Sequence, residues 1–470
     1  MITENNIDPQ NPIHIPAKVL AGFLAGLEFK DIPENAIEMA KIILLDTIGC
    51  IAAGSETEEG KKILKSYDAA NHERGCCIPG TSYSMPASLA AKVNAWLSDV
   101  LDYEDTLAGH PSATVIPAAL AMAEHDNAKP QQLIKGIVCG YEAGKRMFDA
   151  TQATKEVHKR FAVYHAWHGF AGGAAAIGVH GGTEEQFRSA LGHACGNVNI
   201  PLWYVDYGKP AHALKANYGQ MALGGVDAAL CAGNDLVGPF AMISDPLRGF
   251  SYAIGSDQFF PEALSADLGI KWWMEAPAIK FFPCCAFLHC PIRAAQCVMT
   301  DNKIRKEDIF KINIKTFERV IEGFWTDIPT TSFDGQMSVQ YVVAMGILGL
   351  EPGREWFTAE MLSNPEVHGL IHKMTIELDP DSEKDYWATD MELKRATVEI
   401  ELNSGQKYSN TVDYALGHKN NPADIEDILH KFYHNVRGTK LEKNMEELAE
   451  LILSLDKQES LERLFCLLHG

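Results

Sequence analysis

The stretch AIEMAKIILLDTIGCIAA (residues 36–53) decides the fold class. Its apolar residues begin at helical spacing and then become almost continuous, which predicts a helix buried on all sides. A helix of that kind needs other helices around it, and the flanking sequence supplies them. PASLAAKVNAWLSDV (86–100) opens with proline at a helix start. Residues 116–125 and 133–147 continue the pattern, with Gly136, Gly140 and Gly144 placed where helices approach closely at some cost in propensity. AVYHAWHGFAGGAAAIGV (162–179) is small and apolar, and KPAHALKANYGQMALGGVDAALCA (209–232) passes from a basic entry into an Ala/Gly-rich helix. About the first 270 residues therefore read as an all-α bundle.

Further on the periodicity changes. IFKINIKTF (309–317) and KMTIEL (373–378) alternate as strands do, and TVEIELNSGQKYSNTV (397–412) reads as two strands joined at Asn403-Ser404-Gly405. QMSVQYVVAMGILGL (336–350) reads as one apolar helix between them, and residues 422–433 and 444–455 return to amphipathic helix. The expected fold is mainly α: a large all-α helical domain (1–276 and 415–470) with a smaller α+β lid domain (277–414).

Composition narrows the function. The 470 residues carry a net charge of −21, which argues against a nucleic-acid partner. No uninterrupted apolar run reaches membrane-spanning length, and MITENNIDPQNPIH lacks a secretory pattern, so no membrane partner and a cytoplasmic location are expected. The 11 cysteines are odd in number, scattered and mostly in apolar stretches, as reduced thiols would be. No GxGxxG follows a strand, and neither GxxxxGK[ST] nor GxSxG occurs, so nucleotide cofactors and serine-hydrolase chemistry find no support.

One charged knot interrupts the apolar helices: LDYEDTLAGHPSATVIP (101–117). Burying unpaired charge costs several kcal/mol, so these groups must face water or line a cavity. Asp102 and Thr106 stand four apart and would share a helical face, leaving Glu104 and Asp105 for solvent. His110 precedes a helix start, where it either caps the helix or serves an anion site. His165 and His168, three apart, lack HExxH or a nearby third ligand, so no metal is expected; one is read as catalytic and the other as structural, and spacing does not choose. Lys209 and Lys215 either snorkel to the surface, bind a carboxylate or act as a base with a lowered pKa, and Tyr218 lies one turn beyond Lys215. In KFFPCCAFLHCP (280–291) the CCxxxHC spacing fits no zinc knuckle; Cys285 and His289 would share a helix face, although inert buried thiols are commoner.

In this order the stretches LLDTIGCIAAGS (44–55), DYEDT…HPSA (102–113), GYEAGKRM (140–147), GGAAAIG (172–178), LKANYGQMALGGVDAAL (214–230), KFFPCC (280–285) and QMSVQYVVAMGILGL (336–350) resemble the MmgE/PrpD family. That family includes 2-methylcitrate dehydratase, cis-aconitate decarboxylase and iminodisuccinate epimerase. The resemblance implies a helical domain with an α+β lid, a homodimer, no cofactor and a small anionic carboxylate as substrate. It implies a site assembled from Asp102, Thr106, His110, His165, Lys215 and Lys280; His110, His165, Lys215 and Asp102 are then expected to be catalytic, with Thr106 and Lys280 around the substrate, and the residue reading adds Tyr218, Cys285 and Lys209 there. It favours His165 over His168, and Lys215 over Lys209. Two departures from the decarboxylase stand out: a shorter loop from Thr106 to His110, and Cys285 in place of a histidine. The expected reaction is dehydration of a 2-methylcitrate-like hydroxy acid, with decarboxylation and epimerisation as alternatives. A carboxylate-binding protein without catalysis is the alternative of a different class.

Overall fold

The computed structural model describes residues 11–72, 75–197, 217–325, 328–389 and 391–470. The chain is mainly α. The stretch that opened the reading is a helix, Glu34–Ser55, in which every residue from Ile43 to Ser55 is buried. It packs against helices Ala87–Asp99, Ser112–His125 and Pro130–Ala150, and the bundle continues through helices His168–His180 and Tyr218–Gly233. His168–His180 packs against Pro130–Ala150, Ser112–His125 and Tyr218–Gly233, and it is buried from His168 through Val179.

Small residues make that packing possible. A Cβ on Gly136 would lie 2.8 Å from the Ala175 carbonyl oxygen, and one on Gly140 would lie 2.8 Å from Val115. One on Gly144 would lie 2.5 Å from the Trp167 ring. The glycine spacing thus marks close helix approach, and tight packing outweighs the propensity that alanine would add.

Among the described residues the helical part holds only one short pairing of strands, β1 (Cys76–Cys77) with β2 (Ser84–Met85). The second layer carries a four-stranded sheet of β3 (Ile309–Thr316), β4 (Met374–Leu378), β5 (Ala396–Leu402) and β6 (Lys407–Val412). Its order is β4-β3-β5-β6, with β3 parallel to β4 and antiparallel to β5, and β5 antiparallel to β6. The β5–β6 turn places Gly405 at φ +85°, a conformation that glycine adopts without strain. Helix His289–Asp301 covers β5 and β6 and packs on helix Val339–Leu348. The single helix expected over 336–350 is instead two, Ser332–Gln336 and Val339–Leu348. The break falls at Ser338, whose hydroxyl accepts from the Tyr341 N–H and so caps a new helix start.

The apolar side chains form two clusters. One runs through the helices and takes in Ile428, Phe432 and Val436 of helix Ile425–Val436. The other surrounds the sheet and reaches across to Cys50, Ala53, Val100, Leu101 and Tyr103. The charged knot of the sequence begins where the second cluster meets the first. No helix among the described residues is long and apolar enough to cross a membrane.

Candidate active site

Helix Ala87–Asp99 ends just before the knot, and Asp102 takes a left-handed conformation, φ +50°. The segment is therefore a loop, and the helical relation expected between Asp102 and Thr106 does not hold. Thr106 instead pairs with Ala278 as an isolated antiparallel bridge, N–H to carbonyl at 2.8 and 2.9 Å. That bridge carries the chain two residues on to Lys280 and sets it against the loop.

Lys280 is 1% exposed, and its Nζ lies 2.5 Å from Asp102 Oδ1 and 3.0 Å from the Asp102 carbonyl. A second buried lysine acts in the same way one residue along. Lys431 Nζ donates to the Tyr103 carbonyl at 2.7 Å, pairs with Asp46 Oδ1 at 2.6 Å and stands over the Tyr103 ring. Two ammonium groups from distant parts of the chain thus hold successive carbonyls of the loop, and each carries a carboxylate partner. Burial pushes the Asp46 carboxyl up, and the Lys431 charge opposes that shift.

The expectation that Glu104 and Asp105 face solvent is overturned; both are fully buried. Glu104 Oε1 lies 2.6 Å from His110 Nδ1. Asp105 Oδ1 accepts from the Ser112 N–H at 3.0 Å, and its Oδ2 accepts from the Tyr141 hydroxyl at 2.7 Å. Asp105 therefore fills the anion position at the start of helix Ser112–His125, leaving His110 for another role. Solvation would cost these acids nothing, but the loop is held inside by Lys280 and Lys431, which local sequence cannot reveal.

Burial raises the Asp105 carboxyl from 3.8 to about 7, against its hydrogen bonds from Tyr141 and Ser112. Between those pH values the folded chain keeps a proton that the unfolded chain has lost, so this group's contribution to stability falls as pH rises from about 4 to about 7. Unfolding free energies of the wild type and Asp105→Asn, measured in urea across that window, should show the wild type losing ground to the variant as pH rises. A difference independent of pH would refute this assignment.

His110 faces Glu104 at 2.6 Å, Lys280 Nζ at 3.3 Å and Asp102 at 3.6 Å, all through Nδ1. The ligand-type atoms of Asp99, Asp102, Glu104 and His110 lie within 4.8 Å of one another, a spacing that suits a cation, and the Lys280 ammonium supplies positive charge there.

The two histidines of residues 162–179 separate by their hydrogen bonds. His168 Nδ1 lies 2.8 Å from the His165 carbonyl, so it carries the proton, and Nε2 accepts from the His110 N–H at 2.9 Å. Both ring nitrogens of His168 are thus used to hold the backbone at His110. His165 has its Nδ1 2.5 Å from the Tyr218 hydroxyl, and its ring stacks 5.8 Å from that of His110.

Of the residues read from sequence, Asp102, His110, His165, Tyr218 and Lys280 come together, with Thr106 beside Lys280 on the bridge. Lys209 and Lys215 lie outside the described residues. Cys285 is partly exposed and its N–H donates to the Gln336 carbonyl. The helical relation of Cys285 to His289 does not hold, because the helix starts at His289, whose Nε2 lies 3.3 Å from the Cys284 carbonyl. Burial and the Lys280 charge lower the His289 pKa to about 3. Glu104 and His168 belong to the cluster in positions that sequence reading did not give them. Only an acid six residues before a histidine hinted at the first.

Acids, imidazoles and a lysine are thus gathered in one largely buried cluster beside the apolar cluster of the sheet. Residues 18–262 match the MmgE/PrpD N-terminal domain and residues 282–457 the MmgE/PrpD C-terminal domain, and the chain belongs to the MmgE/PrpD family. It is similar to the cis-aconitate decarboxylase of Aspergillus terreus (strain NIH 2624 / FGSC A1156), 25% identical over 97% of this chain and 96% of the relative. It is also 25% identical to the cis-aconitate decarboxylase of Mus musculus, over 96% of this chain and 92% of the relative. The mitochondrial 2-methylcitrate dehydratase of Yarrowia lipolytica is 22% identical, over 88% and 82%. These relatives are lyases.

Proposed function

We propose that the chain is a cofactor-independent lyase that dehydrates a 2-methylcitrate-like hydroxy di- or tricarboxylate. The observation that carries this reading is the pair of imidazoles, His110 and His165, 5.8 Å apart and backed by Glu104 and by Tyr218 respectively. Elimination of water needs two groups that handle protons. One imidazole takes the α-proton, the C–H pair becomes the double bond, and the other protonates the departing hydroxyl, which leaves as water. Lys280 and Asp102 fix the loop that carries His110, Thr106 hydrogen-bonds substrate, Lys215 stays assigned to the site on the resemblance, and Lys209 and Cys285 stay assigned to substrate on the reading of the sequence. The division into 1–276 plus 415–470 and a 277–414 lid, a homodimer and a cytoplasmic location are parts of the same proposal.

A second reading, decarboxylation of cis-aconitate, is favoured by the similarity to cis-aconitate decarboxylases over almost the whole chain. There the bond to a carboxylate breaks, carbon dioxide leaves, and one imidazole delivers a proton to carbon. Proton NMR of the purified protein in D₂O, with 2-methylcitrate, citrate, cis-aconitate and iminodisuccinate supplied separately, decides between them. A new vinyl signal from methylcitrate or citrate is the expected result. Itaconate from cis-aconitate would establish the second reading, and deuterium exchange on iminodisuccinate above its spontaneous rate would mean an epimerase. Saturable binding of these acids without turnover or exchange would mean a non-catalytic carboxylate-binding protein.

A further inference from the structure

A cleft beside the Thr106–Ala278 bridge is lined by Thr106 and Lys280 and, from distant parts of the chain, by Glu392, Lys394, Asp413 and His418. Two acids, Glu392 and Asp413, line it, but each already has a cation. Lys419 holds Glu392 at 2.7 Å, and Arg395 holds Asp413 at 2.6 Å while also reaching Asp385. Lys394 is the remaining charge. Lys394 is partly exposed at the wall, and among the described residues its Nζ meets no carboxylate. Its polar contact is the Glu392 carbonyl, at a long 3.4 Å. Partial burial lowers its pKa, as expected for a charge drawn from water without a counter-ion.

His418 lies in the same wall, stacked 4.5 Å from Tyr414. Burial, with the Lys394 charge second, lowers its pKa to about 4, so it is neutral at pH 7. Its Nδ1 accepts from the Asn420 N–H at 3.1 Å, which leaves the ring proton on Nε2 as a donor. An ammonium without a counter-ion, an imidazole N–H and the Thr106 hydroxyl on one cleft make a set of donors, and donors of that kind receive a carboxylate.

We propose that this cleft binds a carboxylate of the substrate away from the reacting carbon, with Lys394 as its charge partner. The inference rests on the reading of the pocket as one for di- and tricarboxylates. It adds the residue that distinguishes a tricarboxylate from a smaller acid, because Lys280 is already committed to Asp102.

The test uses propane-1,2,3-tricarboxylate, which has neither a leaving hydroxyl nor a double bond. Its affinity is measured by calorimetry for the wild type, Lys394→Met and Lys394→Arg, with circular dichroism and melting to check folding. Loss of one charge-assisted contact should weaken binding about 10- to 100-fold in Lys394→Met. Lys394→Arg should recover most of the loss, and succinate should bind all three proteins within a few-fold. Equal affinity in the wild type and a folded Lys394→Met would overturn the proposal, as would a wild type that does not bind the tricarboxylate. A Lys394→Met that fails to fold leaves the decision to Lys394→Arg, whose affinity would have to stay near that of the wild type. The reading of the reaction is judged separately, by turnover in the NMR panel.

Discussion

Glu104→Gln is expected to lower kcat by about 10²- to 10⁴-fold, the range lost when a positioned proton-transfer group is disabled. Glu104 lies 2.6 Å from His110 Nδ1. The short contact is best met by an Nδ1–H donating to the carboxylate, and in the proposed reaction Nε2 is the nitrogen that meets substrate. When His110 takes a proton, two carboxylates (Glu104 at 2.6 Å and Asp102 at 3.6 Å) stabilise the charge against one ammonium at 3.3 Å. Glutamine keeps an acceptor oxygen and the shape of the side chain but removes the charge, so the loss should fall on kcat and spare KM. The pH–rate profile should also shift, because the imidazolium loses its closest counter-charge. A variant with turnover within threefold of the wild type and an unchanged profile would reduce Glu104 to a packing role.

Lys280→Met is expected to cost about 3–5 kcal/mol of stability, because it leaves the Asp102 carboxylate buried with its ammonium gone. Both side chains of the pair are 1% exposed. The double variant Asp102→Asn/Lys280→Met should regain much of that loss, since a buried neutral pair avoids the desolvation penalty. Urea unfolding of the four proteins of this cycle gives the coupling directly. If the double variant were as unstable as the sum of the singles, the pair would not be the element that holds the loop. Both single variants should also lose turnover, because His110 rides on the same loop.

The helices were legible because their signal is local. An apolar pattern at 3.6-residue spacing predicts the helix that became Glu34–Ser55, and the glycines at 136, 140 and 144 announced close packing before any partner was known. Alternation predicted β3 to β6 for the same reason, and Gly405 marked the turn between β5 and β6. Glu104 and Asp105 were misread because a run of charges ordinarily sits in water. Nothing within a few residues of Glu104 or Asp105 shows that they are buried.

The sequence by itself determined the class of fold, the family and the types of chemical group that a pocket would hold, since these depend on residue type and short spacing. Only the tertiary structure decided how those groups are used. Lys280 and Lys431, 178 and 328 residues along from the loop residues they bind, turn a charged segment inward by supplying the counter-charge and donors that burial requires. His168 is spent on the backbone at His110, and His165 stacks on that ring, although the two histidines stand one turn apart in the chain. Hydrogen-bond direction and long-range charge pairing are properties of space rather than of spacing, and they separate the histidine that holds the His110 backbone from the one that stacks on the His110 ring.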